Sequence, residues 1–430
     1  MFANQITEFN ESLNSLRAFS SLVEPFLIEK RLVDSVIDNS ESLITGIIKD
    51  YTNTKIQALP IPEFSKEKMI TIPSIIKEAF DTIGEDPILR ESMKSFASSL
   101  ANADTEEFAK IRLSGQMKEL KSKFNHIELL NTNTLISLMS FAEWFFVQIL
   151  HFYFEKYPEA ASIDSKSLTY EEIKSFNSIK DAQDYLLDNK IEGIIRGSID
   201  SWFKYLRSQF KLSIKHFALY ENTLIEISQR RNLLVHNGGI INSIYISKVN
   251  ENYRTEAYVG KKIIVDKTYL DSSISTVQVV FILIATEIWL KVDPNDQKRT
   301  ELIVRLINEN MDEGRWDIVE HLSAFILSDK SAPNINKLIA QLNFWLSKKR
   351  QGEFEEIFKE IEKIDYSDKP IRYQIAFAAL KDNTKLFLEL LEDGLIDNQI
   401  SFEEIDTLPI FDTMIVTKNY KTFKEHYKNR

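Results

Sequence analysis

The chain has 430 residues, enough for two or three domains, and its apolar share of 43% with 27% charged is that of an ordinary globular protein. Cysteine is absent, which excludes disulfides, thiolate metal sites and cysteine nucleophiles. A net charge of −11 argues against a chain that coats nucleic acid non-specifically, because that needs a basic surface.

Glycine (11) and proline (10) are scarce, and sheet-rich chains spend such residues on turns, so an all-α fold of long helices and short loops is expected. The opening stretch, MFANQITEFNESL, has neither the basic end nor the apolar run of a signal peptide. ITEFNESLNSLRAFSSLVEPFLI carries apolar residues at helical spacing, and LPIPEF (residues 59–64) reads as a linker. Residues 1–110 are expected to form an N-terminal helical region, used for packing or as an adaptor.

From Lys118 a long helical pattern runs through FAEWFFVQILHFYF to about Tyr157, followed by a looser stretch rich in Ser, Asp and Asn. The pattern resumes at Ile199 with SIDSWFKYLRSQFKL and continues through LYENTLIEISQRRNLLVH, where Leu224, Ile227 and Leu234 repeat at helical spacing. Gly238 and Gly239 then stop the helix. TEAYVGKKIIVD alternates around Gly260 and predicts one small hairpin. A last helix from Tyr269 to about Lys291 closes a domain placed at residues 111–293. Its longest apolar run, residues 279–285, is far short of the roughly 20 residues that cross a bilayer, so a cytoplasmic chain with no membrane contact is expected. In residues 296–430, WDIVEHLSAFIL, EFEEIFKEIEKI and TKLFLELLEDG begin at 316, 353 and 384. That uneven spacing predicts a helical-hairpin array able to bind a protein partner, without the consensus residues of the tetratricopeptide repeat.

No phosphate-cradling glycine loop, paired-histidine zinc helix or serine elbow occurs, so no metal and no cofactor is expected. Of the six histidines, His236 has the most suggestive company: Arg230, Arg231 and Asn232 before it, Asn237, Gly238 and Gly239 after it. Cations near a helix C-terminus with a glycine beyond are also how many helices end. The chemical reading is that imidazole transfers protons near neutrality, while arginine offers a permanently charged fork for phosphate. Lys204, Arg207, Lys211 and Lys215 add to a positive island in the acidic chain, although spacings of three and four also mark any solvated helix face. Trp144, Phe145, Phe146 and Tyr153 read as a core stripe rather than a base-stacking surface. Arg231 and His236 are separated by about 140° on an ideal helix, so either His236 lies past the last regular turn or the site is composite.

RNLLVH fits the R-x-x-x-x-H motif of the HEPN superfamily of metal-independent ribonucleases, with Asn232 as the polar residue that often follows the arginine. HNGGIINSIYISKV with YVGKKIIVDKTYL resembles the segment after that motif, and the helix bearing Glu143, Trp144 and Phe145 resembles the family's first core helix. The resemblance covers about Lys118 to Lys291 and neither flank. It implies a HEPN-like helical bundle, an RNA substrate such as tRNA or mRNA, and a homodimer whose site is built from two protomers. The implied reaction is RNA transesterification leaving a 2′,3′-cyclic phosphate. In it His236 would transfer protons, Arg231 stabilise the phosphorane and Asn232 orient either group. Glu143 would hold Arg231 by an ion pair, Arg230 would meet a neighbouring phosphate, and Lys204, Arg207, Lys211 and Lys215 would guide the RNA backbone. A role as toxin or abortive-infection effector against phage is implied by the resemblance alone. Two other readings stay open: a non-catalytic HEPN-like module that binds RNA, nucleotide or protein, and a purely structural helical scaffold.

Overall fold

The computed structural model describes residues 2–21, 106–161, 167–212, 218–254 and 257–428, with side chains of the longest helix from residue 128 onward. The expected linker at residues 59–64, together with Lys215 and His216, lies outside the described residues. Those described are helical, with no strand among them. Helices α1 (Phe2–Ser21), α2 (Glu106–Lys156), α3 (Tyr170–Ser175), α4 (Ile179–Ile195), α5 (Ile199–Ser208), α6 (Glu221–His236), α7 (Ser243–Lys248) and α8 (Lys267–Val292) precede a C-terminal series. That series comprises α9 (Lys298–Asp312), α10 (Trp316–Ser328), α11 (Asn334–Arg350), α12 (Phe354–Ile361), α13 (Ile371–Leu380) and α14 (Thr384–Ile396), then three shorter helices to Lys428.

The chain divides into two compact units, one of Met1–Leu13, Leu138–Lys261 and Ser272–Arg430, the other of Asn14–Ser137 and Lys262–Asp271. In the first, Phe2, Ile6, Phe9 and Leu13 recur at helical spacing and are all buried. Phe9 stacks on Phe145 at 4.2 Å between ring centroids, and Phe146 stacks on Trp202 at 4.9 Å. Gln278 donates to Asn10 at 2.6 Å, so the first half of α1 is tied to α8 by a polar bond as well as by ring packing. Residues 277–288 of α8 are buried around the whole helix, which is the pattern of a central core helix. Phe145, Phe146 and Tyr153 are core residues, while Trp144 is exposed. In the second unit, Lys262 pairs with Glu128 at 2.5 Å and Asn131 donates to the Val265 carbonyl at 3.2 Å.

By length and composition, Glu128–Lys156 and Lys267–Val292 would each be long and apolar enough to cross a membrane. The longest uninterrupted apolar run missed this because the single polar residues Gln278 and Thr286 break it. Both are fully buried, and 89% of the most apolar window of Lys267–Val292 is buried, as in the core helix of a soluble protein.

Two local expectations change. The loose stretch before Ile199 contains α3 and α4, each opened by a capping box, Thr169 with Glu172 and Ser178 with Asp181. Their faces are mostly exposed, so hydrophobic periodicity gave no signal although the caps were legible. Among the described residues of TEAYVGKKIIVD, 257–266, the expected hairpin around Gly260 is not formed. Instead Tyr258 and Lys261 close a turn with Gly260 at φ +93°, and its backbone bonds run to Ile241, from Gly260 N at 2.8 Å and to Lys261 O at 2.9 Å. These backbone groups find their partner across the loop rather than in a facing strand.

The C-terminal helices pack on their neighbours in sequence, α10 on α11 and α13 on α14 among them. The ends of α9, α11, α13 and α14 share one device. A residue with left-handed backbone (Gly314, Gly352, Asp382 or Asn398) is followed by an N–H that reaches back to the carbonyl of Asn310, Lys348, Ala378 or Gly394. At the head of the array, Arg299 is fully buried, its guanidinium 2.8 Å from Asp329 and 2.9 Å from the Asp293 carbonyl. Burial by itself would raise the Asp329 carboxyl, but hydrogen bonds from Ser331 and Arg299 outweigh it and hold it below its ordinary value.

Removing one partner strands a buried charge, so Asp329→Ala should lower unfolding stability by about 3–5 kcal/mol in thermal or urea denaturation. Because the folded-state value is lowered, this contribution is present above the ordinary carboxylate range of about 4 and is lost as pH falls through the folded value. Asp329→Ala should therefore flatten the acid limb of the stability curve, and a variant with wild-type acid sensitivity would refute the assignment.

Candidate functional site

Helix α6 is buried round most of its circumference, at Leu224, Glu226, Ile227, Gln229 and Leu233. Leu233 rather than Leu234 is the fully buried member near its end. Asn237 N and Gly239 N both bond to the Leu233 carbonyl, at 2.8 and 3.0 Å, while Gly238 (φ +58°) and Gly239 (φ +77°) turn the chain away. His236 is the last helical residue. Regular helix therefore extends through the whole motif, and the separation of about 140° between Arg231 and His236 is retained.

Arg231 reaches across to α2, its Nη2 lying 3.0 and 3.3 Å from the two Glu143 carboxylate oxygens. Its Nη1 donates to the Asn232 side-chain oxygen at 3.2 Å, and its Nε is buried with no hydrogen-bond partner among the described residues. Glu143, Arg231 and Asn232 border a cleft of about 370 Å³ with Arg196, Gly197, Ser198, Ser228, Gln229 and Lys248. His236 opens into an adjoining cleft of about 300 Å³, which it shares with Asn237, Asn242, Ile244 and Tyr245. Gln229, Asn232 and Lys248 border both. The His236 side chain is exposed and makes no hydrogen bond or ion pair among the described residues.

The other basic residues are variously engaged. Arg230 donates through Nε to buried Glu226 at 2.8 Å, and Glu226 also accepts from the Tyr245 hydroxyl at 2.8 Å. Burial, then the Glu226 charge, raises the Tyr245 hydroxyl. This cluster fastens α7 to α6. Lys204 pairs with Asp200 at 2.6 Å on the solvent side of α5. Arg207 pairs with Glu221, whose hydrogen bond raises the guanidinium further. Lys211 is exposed, at a left-handed backbone position of φ +49°. The structure thus brings Arg231, Asn232, His236 and Glu143 to two joined clefts and places Lys204, Arg207 and Arg230 on carboxylates of their own. Among the other histidines, His151 lies 3.4 Å from Asp188 and His321 contacts the Tyr220 hydroxyl. Among the described residues no group of three or more His, Asp and Glu is arranged to hold a metal ion.

Lys248 and Gln229 escaped the sequence reading. Lys248 belongs to α7, which Asn242 caps by accepting from Tyr245 N at 2.9 Å and which the buried Tyr245–Glu226 bond folds back on α6. No spacing rule announces that return.

No known protein family, curated protein or solved structure matches the chain.

The Arg231–Glu143 pair is shielded, with side-chain exposures of 22% and 33%, and its hydrogen bonds are charge-assisted. A double-mutant cycle with Arg231→Ala and Glu143→Ala should give a stability coupling of about 0.5–2 kcal/mol. Additive effects within about 0.3 kcal/mol would mean that water screens the contact.

Proposed function

We propose that the protein is a metal-independent endoribonuclease of HEPN type, acting in the cytoplasm as a homodimer. The observation that carries this reading is the pairing of an anchored arginine with an unpartnered histidine in adjoining clefts. A phosphorane needs a fixed cation, and Arg231, oriented by Glu143 and Asn232, provides a guanidinium that does not have to be gathered from solution. Proton transfer needs an accessible imidazole, and His236 has no competing partner among the described residues. In the reaction a base removes the 2′-hydroxyl proton and the 2′-oxygen attacks phosphorus. The bond to the 5′-oxygen breaks as an acid protonates it, leaving a 2′,3′-cyclic phosphate and a 5′-hydroxyl. Two copies of His236 supply the base and the acid, and the angular separation within one helix favours such a composite site. A role in stopping phage-infected cells, with tRNA or mRNA as target and a protein partner on the C-terminal array, follows from the resemblance and the array.

A surface beside His236 suits a second copy of the chain. Val235, Ile240, Ile244, Tyr258 and Val259 are each between 38% and 64% exposed, and the Gly260–Ile241 bond brings the last two close to the motif. The alternative, a HEPN-like module that binds RNA without cutting it, is favoured by one observation: the Arg231 charge already has a carboxylate partner.

Purified protein should cleave RNA in chelator, and Arg231→Ala or His236→Ala should each reduce the rate by at least about a hundredfold with helical content unchanged. RNA carrying a 2′-deoxy substitution at the scissile nucleotide should resist. Products with 5′-phosphate ends, or wild-type cleavage by either variant, would assign the activity elsewhere.

Ile244→Lys should convert the dimer to a monomer in sedimentation at micromolar concentration and abolish cleavage together with it. A monomeric wild-type chain that is fully active would rule out the composite site.

A further inference from the structure

We infer that the lip joining the two clefts is a subsite for a backbone phosphate of the bound RNA strand, with Lys248 as its cation and Gln229 as its hydrogen-bonding group. The inference rests on the ribonuclease reading for the identity of the strand and adds a contact outside the R-x-x-x-x-H motif. A strand held at Arg231 in one cleft and at His236 in the other has to cross the lip bordered by Gln229, Asn232 and Lys248.

Two independent features suit a phosphate there. The first is charge. Lys248 is exposed and has no ion pair among the described residues, whereas Lys204, Arg207, Arg230 and Arg231 each have a carboxylate. Among the described residues Glu143 is the one acid bordering either cleft, and Arg231 already binds it. An ammonium group with no counter-ion at the crossing point of a polyanion releases condensed cations when the strand binds. The second is an unmet polar group. Gln229 is only 7% exposed, yet its amide makes no hydrogen bond among the described residues. Its amide atoms are not fully buried, so they face the solvent of the clefts, where water now satisfies them. Its position on the wall of both clefts allows a phosphate oxygen to accept that bond in place of water. Lys248 is itself held in place, because Tyr245 on the same short helix donates to buried Glu226.

The test is binding of a fluorescein-labelled single-stranded oligoribonucleotide to the full chain in a His236→Ala background, over a series of salt concentrations. Lys248→Ala should weaken binding about tenfold and reduce the slope of log affinity against log salt by about 0.7. Lys248→Arg should retain both, and Lys385→Ala, at an exposed position on α14, should match the background. Gln229→Leu should weaken binding several-fold with the slope unchanged. The subsite is overturned if the full chain binds no RNA, if Lys248→Ala behaves like Lys385→Ala, or if Gln229→Leu binds as the background does. Binding that depends on Lys248 in a chain that never cuts RNA in chelator would sink the ribonuclease reading and leave the subsite standing. Cleavage with a salt slope indifferent to Lys248 would do the reverse.

Discussion

The contact between Arg231 and Glu143 joins the motif helix to the long aromatic helix α2 and sets the direction of the guanidinium. An arginine on a helix surface has several rotatable bonds and would sample many directions; one bound to both oxygens of a carboxylate does not. The cleft beside it depends on that restraint, since Arg231, Glu143 and Asn232 all border it. The same restraint reduces the field that Arg231 presents to an incoming anion. A phosphate must therefore compete with, or share, the Glu143 partner, which makes Lys248 and Arg196 near the cleft relevant to binding. Arg196 is itself only loosely engaged, through an exposed pair with Glu192 on the preceding turn.

Charge in this acidic chain is organised by pairing. The basic segment from Lys204 to Arg231 looked like a continuous guide for a polyanion, but Lys204, Arg207, Arg230 and Arg231 bind Asp200, Glu221, Glu226 and Glu143. Exposed pairs of this sort contribute little to stability, yet they cancel most of the field a distant ligand would feel. Beside exposed Lys211, an uncancelled charge among the described residues lies at the lip of the two clefts, on Lys248 of a helix outside that segment.

The C-terminal array obeys a simpler rule. Four of its helices end where a left-handed residue lets the next N–H reach back and satisfy a carbonyl of the last turn. Glycine performs this at Gly314 and Gly352, and Asp382 and Asn398 perform it where the side chain is short and polar. The helices stop at these points whatever partner the array binds. Arg299 anchors the first of them by filling the acceptors of the preceding turn together with Asp329 and Ser331.

How much of this was legible in the sequence differs from element to element. The helical class, the extents of α8 and α10, the stop after His236 and the candidate pairing of Glu143 with Arg231 follow from local periodicity, capping chemistry and one resemblance. Helix α4 was also legible through Ser178 and Asp181, but its exposed faces hid it from a reading based on apolar spacing. The amino-acid sequence by itself determined where helices form and end, because those events are decided by backbone bonds and side chains within a few residues of one another. Only the tertiary structure decided that the turn at Gly260 bonds to Ile241 instead of closing a hairpin, that the basic island is largely neutralised, and that Lys248 and Gln229 border the same lip. Each of those depends on which distant segment supplies the partner for a buried donor or charge, and no local spacing carries that information.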